Sequence, residues 1–392
     1  LNSYCFRIMA VNSGVALQEF INGNNSFAAA VYEQIVKYSE GNFLVSPLSA
    51  ETILAFAQSG CKDETAQEIR NVLYLSDDKN KIETGIKHFL HNMRSGKNDV
   101  LHNAIKMYIK ENFSIKDEFK RAATEVYGAD LENINFSKKV EAAATMNKWF
   151  EKETNNKIHD PINSDGIKDE TRTILLNALY FKADWLHKFA LVDTEKAYFY
   201  KTARDAVEVD TMRYHSDYQC DFNYHESKEL KAKFLELPFE GEDASMVVIL
   251  PHEKEGLGAL ESQIGSVFAP RDFRKRLVNV ALPKFKIESG IDFKRILQNL
   301  GVNKAFDKDE ADLSGIAGGK GDLIIDQVVQ KTLIEVSEEG VEAAAAAFAR
   351  IPIPACYVTI PPANFTADHP FIFYVKVRGA ITFAGRVTDP EQ

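Results

Sequence analysis

Apolar positions along this chain change their period partway through. Between residues 26 and 160 they recur mainly every three or four residues, the spacing of helix faces turned towards a core. Ser46-Pro47-Leu48-Ser49 opens an Ala-, Leu- and Ile-rich stretch that ends near Gly60, and a serine cap with an early proline suits a helix start. Ile82, Ile86, Phe89, Leu90 and Met93 predict a second helix over 81–93; Ala144, Met146, Trp149 and Phe150 predict a third over 140–153. From residue 174 the pattern shortens. Ile174–Phe181, Phe234–Pro238, Met246–Leu250, Val278–Leu282, Phe371–Val375 and Ala380–Ala384 are brief apolar runs bounded by turn residues, read as strands, several of them buried on both faces. Helices first and sheets afterwards predict an α+β fold. No fixed repeat or low-complexity linker interrupts it, so 1–392 reads as one domain.

One segment fits neither period. Leu333–Val336 ends a strand, and the next confident strand begins only after Pro361-Pro362. Between them lie Gly340, five consecutive alanines (Ala343, Ala344, Ala345, Ala346, Ala347) and the prolines Pro352 and Pro354. Alanine favours helix by propensity, yet there is no amphipathic stripe and no cap. A connection beyond about 15 residues in a compact domain is usually functional or disordered. Small side chains also leave little steric hindrance to a segment that slides between two strands.

Composition narrows the classes. Of 392 residues, 45% are apolar and 27% charged, the balance of a packed globular chain. Lys and Arg number 47 against 57 Asp and Glu, a net charge of −10, which disfavours nucleic acid and anionic membranes as general partners. No apolar run approaches the ~18 residues of a membrane span. The opening residues lack a basic stretch leading into an apolar one, so no targeting peptide is expected in the chain as it stands. Cys5, Cys61, Cys220 and Cys356 are too few and scattered for a disulfide framework. Asn-x-Ser/Thr triplets at Asn24, Asn112, Asn135 and Asn364 are candidate glycosylation sites and favour secretion.

The anomalous segment resembles the hinge and reactive loop of the serpins, the serine-protease-inhibitor family, and the resemblance spans nearly the whole chain. Asn42–Ser49 is similar to the family's entry into its second helix, and Asn177–Trp185 to the buried strand ending at the breach, where the main sheet opens. Leu282–Ile287, Ala311–Ile316, His369-Pro370-Phe371 and Phe383–Val387 match in family order. Two positions depart from the family pattern: Gln330 stands where histidine is common in the shutter, and Val341 where threonine often follows the hinge glycine.

The resemblance implies three β-sheets with helices, a reactive-centre loop at about 338–362, and a monomeric suicide inhibitor without catalytic activity or cofactor. The target protease forms an acyl-enzyme on the loop, and the cut loop then enters the main sheet as an extra strand. It further implies a hinge at Glu338, Glu339, Gly340, Val341, Glu342 and Ala343–Ala347, and shutter or breach roles for Ser46, Pro47, Ser49, Asn177, Trp185 and Gln330. Invertebrate members often act in immune or clotting cascades. Val341, Ala343, Ala345 and Ala347 would alternate onto one face of an inserted strand and carry no charge into the sheet. A strand that starts at Gly340 and crosses a large sheet needs about 14 to 17 residues at ~3.3 Å each. Arg350 lies too near the hinge and Pro354 is a poor residue to precede a cut, so Tyr357–Val358 is the expected reactive bond, with Ala355, Cys356 and Thr359 as alternatives. That bond suits a chymotrypsin-like protease; Cys356 or Val358 as the recognised residue suits an elastase-like one. Cys356 is expected to be free, since a disulfide would pin the loop.

Lys79, Lys81, Lys87, His91, Arg94 and Lys97 surround a helix that binds heparin-like polyanions in several family members, although Glu83, Asp77 and Asp78 interrupt the cluster. His215, Cys220 and His225 fit no zinc spacing, so no metal is expected. Two rival functions remain: a non-inhibitory carrier or chaperone with the same fold, which the small hinge residues disfavour, and a Cys- or Ser-dependent hydrolase, for which no nucleophile motif occurs.

Overall fold

The computed structural model describes residues 2–94, 101–216, 222–241, 243–341 and 361–392. Helices among them are α1 (Asn2–Val36), α2 (Pro47–Ser59), α3 (Asp63–Val72), α4 (Lys79–Arg94), α5 (Asp117–Ala122), α6 (Lys139–Glu153), α7 (Leu257–Glu261), α8 (Ile264–Phe268) and α9 (Phe293–Leu300). The strands are β1 (Phe43–Val45), β2 (Leu101–Lys110), β3 (Ala129–Ile134), β4 (Thr173–Phe181), β5 (Ala183–Asp184), β6 (Glu195–Tyr200), β7 (Ala206–Tyr214), β8 (Phe222–Ser227) and β9 (Ala232–Pro238). They continue with β10 (Ala244–Pro251), β11 (Arg274–Arg276), β12 (Val278–Pro283), β13 (Phe285–Asp292), β14 (Gln327–Val336), β15 (Gly340–Val341), β16 (Ala363–Thr366), β17 (Phe371–Val377) and β18 (Ala380–Val387).

The α+β class and each helix and strand expected above are present. The stretch 26–160 is mainly helical, as expected, with β2 and β3 falling inside it. Ile105, Met107 and Ile109 are buried at every second position, a strand period hidden between helical neighbours. Helix α1 also begins well before residue 26. No helix among the described residues is long and apolar enough to cross a membrane.

The chain forms two compact units, and it passes from one to the other within α1, between β1 and α2, and within β4, β13 and β14. The first comprises Leu1–Gln34, Ser46–Tyr180 and Ser289–Thr332. In it β3, β2, β4 and the start of β14 lie side by side, with β2 and β3 parallel from Ile105↔Ala129 to Lys110↔Ile134. Met146, Trp149 and Phe150 of α6 join Tyr108, Ile174, Leu176 and Ala178 in one core cluster. Helix α2 is buried on every side from Pro47 to Gln58, a run that is apolar or small apart from Glu51, Thr52 and Gln58.

The second unit comprises Ile35–Val45, Phe181–Glu288 and Leu333–Gln392. It holds a seven-stranded sheet in the order β1-β18-β17-β10-β9-β8-β11 and a four-stranded sheet in the order β16-β12-β7-β6. Strand β18 is buried along its whole length and β10 from Ser245 onwards, which explains why their sequences are apolar runs without alternation. The end of β14, then β15 and β5, form a third set of paired strands.

Candidate functional site

The anomalous segment begins as a tight reversal at the end of β14. Ser337 N–H donates to Gly340 O at 2.9 Å, and Gly340 N–H returns to Ser337 O at 3.3 Å. The chain then runs back as β15, antiparallel to β14 through Val336↔Val341 and to β5 through Gly340↔Asp184 and Val341↔Ala183. Gly340 and Val341 therefore occupy a strand position between β14 and β5. Gly340 has φ +149°, and a Cβ there would collide with Ala183 O and come within 2.6 Å of Asp184 Cα, so only glycine fits. The Val341 side chain is fully buried.

A set of groups from well-separated positions in the chain clamps this reversal. Trp185 N–H donates to Glu339 O at 2.8 Å, Phe189 N–H to Glu338 O at 3.0 Å, and the Trp185 indole Nε1–H to Ser337 O at 2.9 Å. The indole stacks on Phe239 at 4.5 Å between centroids, and Phe181 meets both Phe239 and Phe383 edge-on, which anchors the clamp in the core. Glu338 pairs with Lys284 at 3.0 Å and accepts from the Thr194 hydroxyl at 2.9 Å. Lys188 bridges Glu339 at 2.9 Å and Asp184 at 3.0 Å. Burial works to raise the Glu338 carboxyl, but its own backbone N–H, the Lys284 ammonium and the Thr194 hydroxyl outweigh it and hold the group below the ordinary carboxylate value. The Glu339 carboxylate, with Asp184, holds the Lys188 ammonium above the ordinary lysine value.

In the first unit, Gln330 lies fully buried at the centre of a second network. Its Oε1 accepts from Ser46 N–H at 2.8 Å, and its Nε2 donates to Ser46 O and to Asn177 Oδ1, both at 2.9 Å. Asn177 Nδ2 donates to Asn103 Oδ1 at 3.0 Å and to Ala104 O at 3.2 Å, and the Ser49 hydroxyl reaches Asn103 Oδ1 at 2.5 Å. Ser46 also caps α2 through Ser49 N–H at 3.4 Å, with Pro47 in the first turn. Glutamine fills the place of the family's frequent histidine with two donors and one acceptor satisfied, and it cannot ionise.

Trp185 and the hinge residues Glu338–Val341 thus come together in one site, and Ser46, Ser49, Asn177 and Gln330 in another. Sequence reasoning assigned no role to Lys188, Thr194, Lys284, Phe239 or Asn103. A signal did exist for Lys284, which sits in a segment already quoted for its resemblance and is a cation available to the Glu338-Glu339 pair. Hinge residues Glu342 and Ala343–Ala347, the reactive-bond candidates Ala355, Cys356, Tyr357, Val358 and Thr359, and Lys97 lie outside the described residues.

Asn24 requires a correction as a glycosylation site. It is fully buried within α1, where a transferase could not reach its amide. Asn112 stands in an exposed turn, Asn135 is half-buried with its Oδ1 accepting from Ser137 N–H at 2.9 Å, and Asn364 is exposed on β16. On α4, Lys79 pairs with Glu83 and Glu118, and Lys81 with Glu19; Lys87 and His91 are exposed, and Arg94 is the helix's last residue. Cys61 is a free, buried thiol whose pKa burial pushes up to about 12; Cys220 and Cys356 lie outside the described residues.

A family model described as Serpin (serine protease inhibitor) matches residues 22–390. Alaserpin of Manduca sexta is 33% identical over 388 residues, covering 97% of both chains. Antichymotrypsin-2 of Bombyx mori is 35% identical over 375 residues, covering 93% of this chain and 96% of its own. Among solved structures, Serpin48, described as a highly specific serpin in the insect Tenebrio molitor, superposes with a TM-score of 0.87 at 51% identity, covering 95% of this chain and 98% of that one.

Proposed function

The chain belongs to the serpin family, and from that premise we propose that it is a suicide inhibitor of a chymotrypsin-like or elastase-like serine protease, with no catalysis of its own. The target attacks the reactive loop as a substrate and becomes acylated. The freed loop then continues the strand that Gly340 and Val341 begin, and the tethered protease is displaced before water can complete the hydrolysis.

The observation that carries this reading is the pairing of β15 between β14 and β5, with Val341 buried and Gly340 at a position that only glycine fits. Three ladder pairs give the inserting strand its register, and register decides which side chains enter the sheet. With Val341 inward, Ala343, Ala345 and Ala347 follow onto the same face by strand alternation, so insertion buries only small apolar groups. The antichymotrypsin named among the relatives supports a chymotrypsin-like target and Tyr357–Val358 as the reactive bond. The exposed triplets at Asn112 and Asn364 support an extracellular, glycosylated protein.

Incubation with chymotrypsin is expected to give an SDS-resistant complex and to release the peptide from Val358 to Gln392. A fragment with a different amino terminus overturns the bond assignment. Clean turnover of the loop, without complex, overturns inhibition and leaves the carrier reading.

A further inference from the structure

Helix α3 ends in a tight reversal. Tyr74 N–H donates to Asn71 O at 3.2 Å and Leu75 N–H to Arg70 O at 3.0 Å, the paired closure of a Schellman motif. Tyr74 fills the left-handed position of that motif at φ +54°, where glycine is the usual occupant and a bulky side chain is strained. Asp63, Asn155, Asn156, Asp160, Lys231 and Arg378 share a positive φ among the described non-glycine residues, and Tyr74 is the one aromatic in the set. It remains 55% exposed, so burial does little to offset the strain. The turn lies against α1 at Gly23, where a Cβ would come to 3.1 Å from Tyr74 O and 3.3 Å from Leu73 O.

The same turn walls a cleft of about 520 Å³ whose other sides are α1 and the start of α4, a volume in the range that holds small molecules. Phe20 and Ile82 give it buried apolar surface, and Asn22 and Ser26 bring an amide and a hydroxyl to its edge. Asn22 Oδ1 accepts from Gln18 Nε2 at 3.0 Å, which leaves Nδ2 as a donor. The Ser26 hydroxyl donates to Asn22 O at 3.1 Å and keeps its lone pairs as acceptors. Glu19 of α1 and Lys81 of α4 pair with each other, so the lining carries no net charge.

We propose that this cleft binds one unit of a neutral oligosaccharide, its C–H face stacked on the Tyr74 ring and its hydroxyls bonded to Asn22 Nδ2 and the Ser26 hydroxyl. A pyranose has an apolar face and a rim of hydroxyls, which matches an exposed aromatic ring beside a donor and an acceptor. The self-neutralised lining offers neither a polyanion nor a polycation a net attraction. Its walls are two helices and a turn, with no strand edge on which an extended peptide could pair. The strain at Tyr74 is then the cost of displaying the ring, since the reversal itself asks only for glycine. The cleft serves this role whether or not the chain inhibits a protease.

The test titrates the intact protein calorimetrically with maltotriose, mannotriose and chitotriose. At least one is expected to bind, with an affinity that stays level from about 50 to 500 mM salt, a range that screens exposed charges. Tyr74→Gly should weaken that binding about tenfold while its urea midpoint matches or exceeds wild type, because glycine takes the left-handed turn without strain. Tyr74→Phe, which keeps the ring, should bind as wild type does. In the wild-type protein, saturating sugar should protect Tyr74 from nitration by tetranitromethane, mapped by peptide mass, a readout that needs no variant to fold. Absence of binding by all three sugars, no protection of Tyr74, or a Tyr74→Gly protein that binds as well as wild type overturns the site. A Tyr74→Gly protein of lower stability shows that the ring packs instead of recognising, and overturns it too. Affinity that falls with salt, or tighter binding of indole than of every sugar, overturns the ligand class.

Discussion

Gly340 carries the sharpest constraint at the scale of a single residue. Its positive φ and the collision awaiting a Cβ mean that Gly340→Ala must push β15 away from β5. We expect a loss of about 1–3 kcal/mol in the first denaturant transition, the usual cost of forced overpacking. Inhibition should shift towards turnover of the loop, read as a rise in moles of protein consumed per mole of protease inhibited. Glu338 adds a pH signature. Its carboxyl is held below the ordinary value, so its contribution is present above an unfolded value of about 4.3 and is lost as pH falls through the folded value. Glu338→Gln should cost about 1–3 kcal/mol at neutral pH, and the gap from wild type should close in acid. A gap independent of pH would show that the Lys284–Glu338 pair contributes through packing alone. Glycine and the small hinge side chains were legible in the sequence. The two lysines were not, because Lys188 and Lys284 lie far from Glu338 and Glu339 along the chain and only the fold sets them at bonding distance.

At the scale of elements, α2 holds a residue that the hydrophobic pattern passes over. Glu51 is fully buried, neither carboxyl oxygen has a hydrogen-bond partner among the described residues, and burial alone pushes its pKa well above the ordinary value. The folded helix therefore keeps a proton that the unfolded chain releases above about pH 4.3. Unfolding is favoured progressively as pH rises through that interval, by up to about 1.4 kcal/mol per unit. Glu51→Gln removes the titration. Its stability should match wild type more closely near pH 4 and exceed it increasingly towards neutrality, as measured by urea midpoints; parallel curves would show that Glu51 finds a partner on the way. The helix itself was readable from Ser46, Pro47 and the apolar run, since caps and periodicity are local properties. Strands β2 and β3 were not, because brief strands between helices are outweighed by the longer helical period around them.

At the scale of the whole molecule, the proposal requires a native state short of its lowest free energy. Nicking the loop should then raise the melting temperature by far more than the roughly 2–4 °C that one kcal/mol brings in a domain of this order of size. A cleaved form that melts with the intact one would return the protein to the carrier reading. The −10 net charge predicts no general affinity for polyanions, which a heparin column run at about 0.1 M salt checks.

Sequence alone determined the α+β class, the family resemblance and the absence of charge or bulk at the inward hinge positions, because these follow from local periodicity and side-chain chemistry. Only the tertiary structure decided that Gly340 and Val341 stand between β14 and β5, that Lys188 and Lys284 meet Glu339 and Glu338, that Glu51 has no hydrogen-bond partner among the described residues, and that Asn24 is out of reach. Each of these depends on burial or on contacts between distant segments, and no local pattern encodes them.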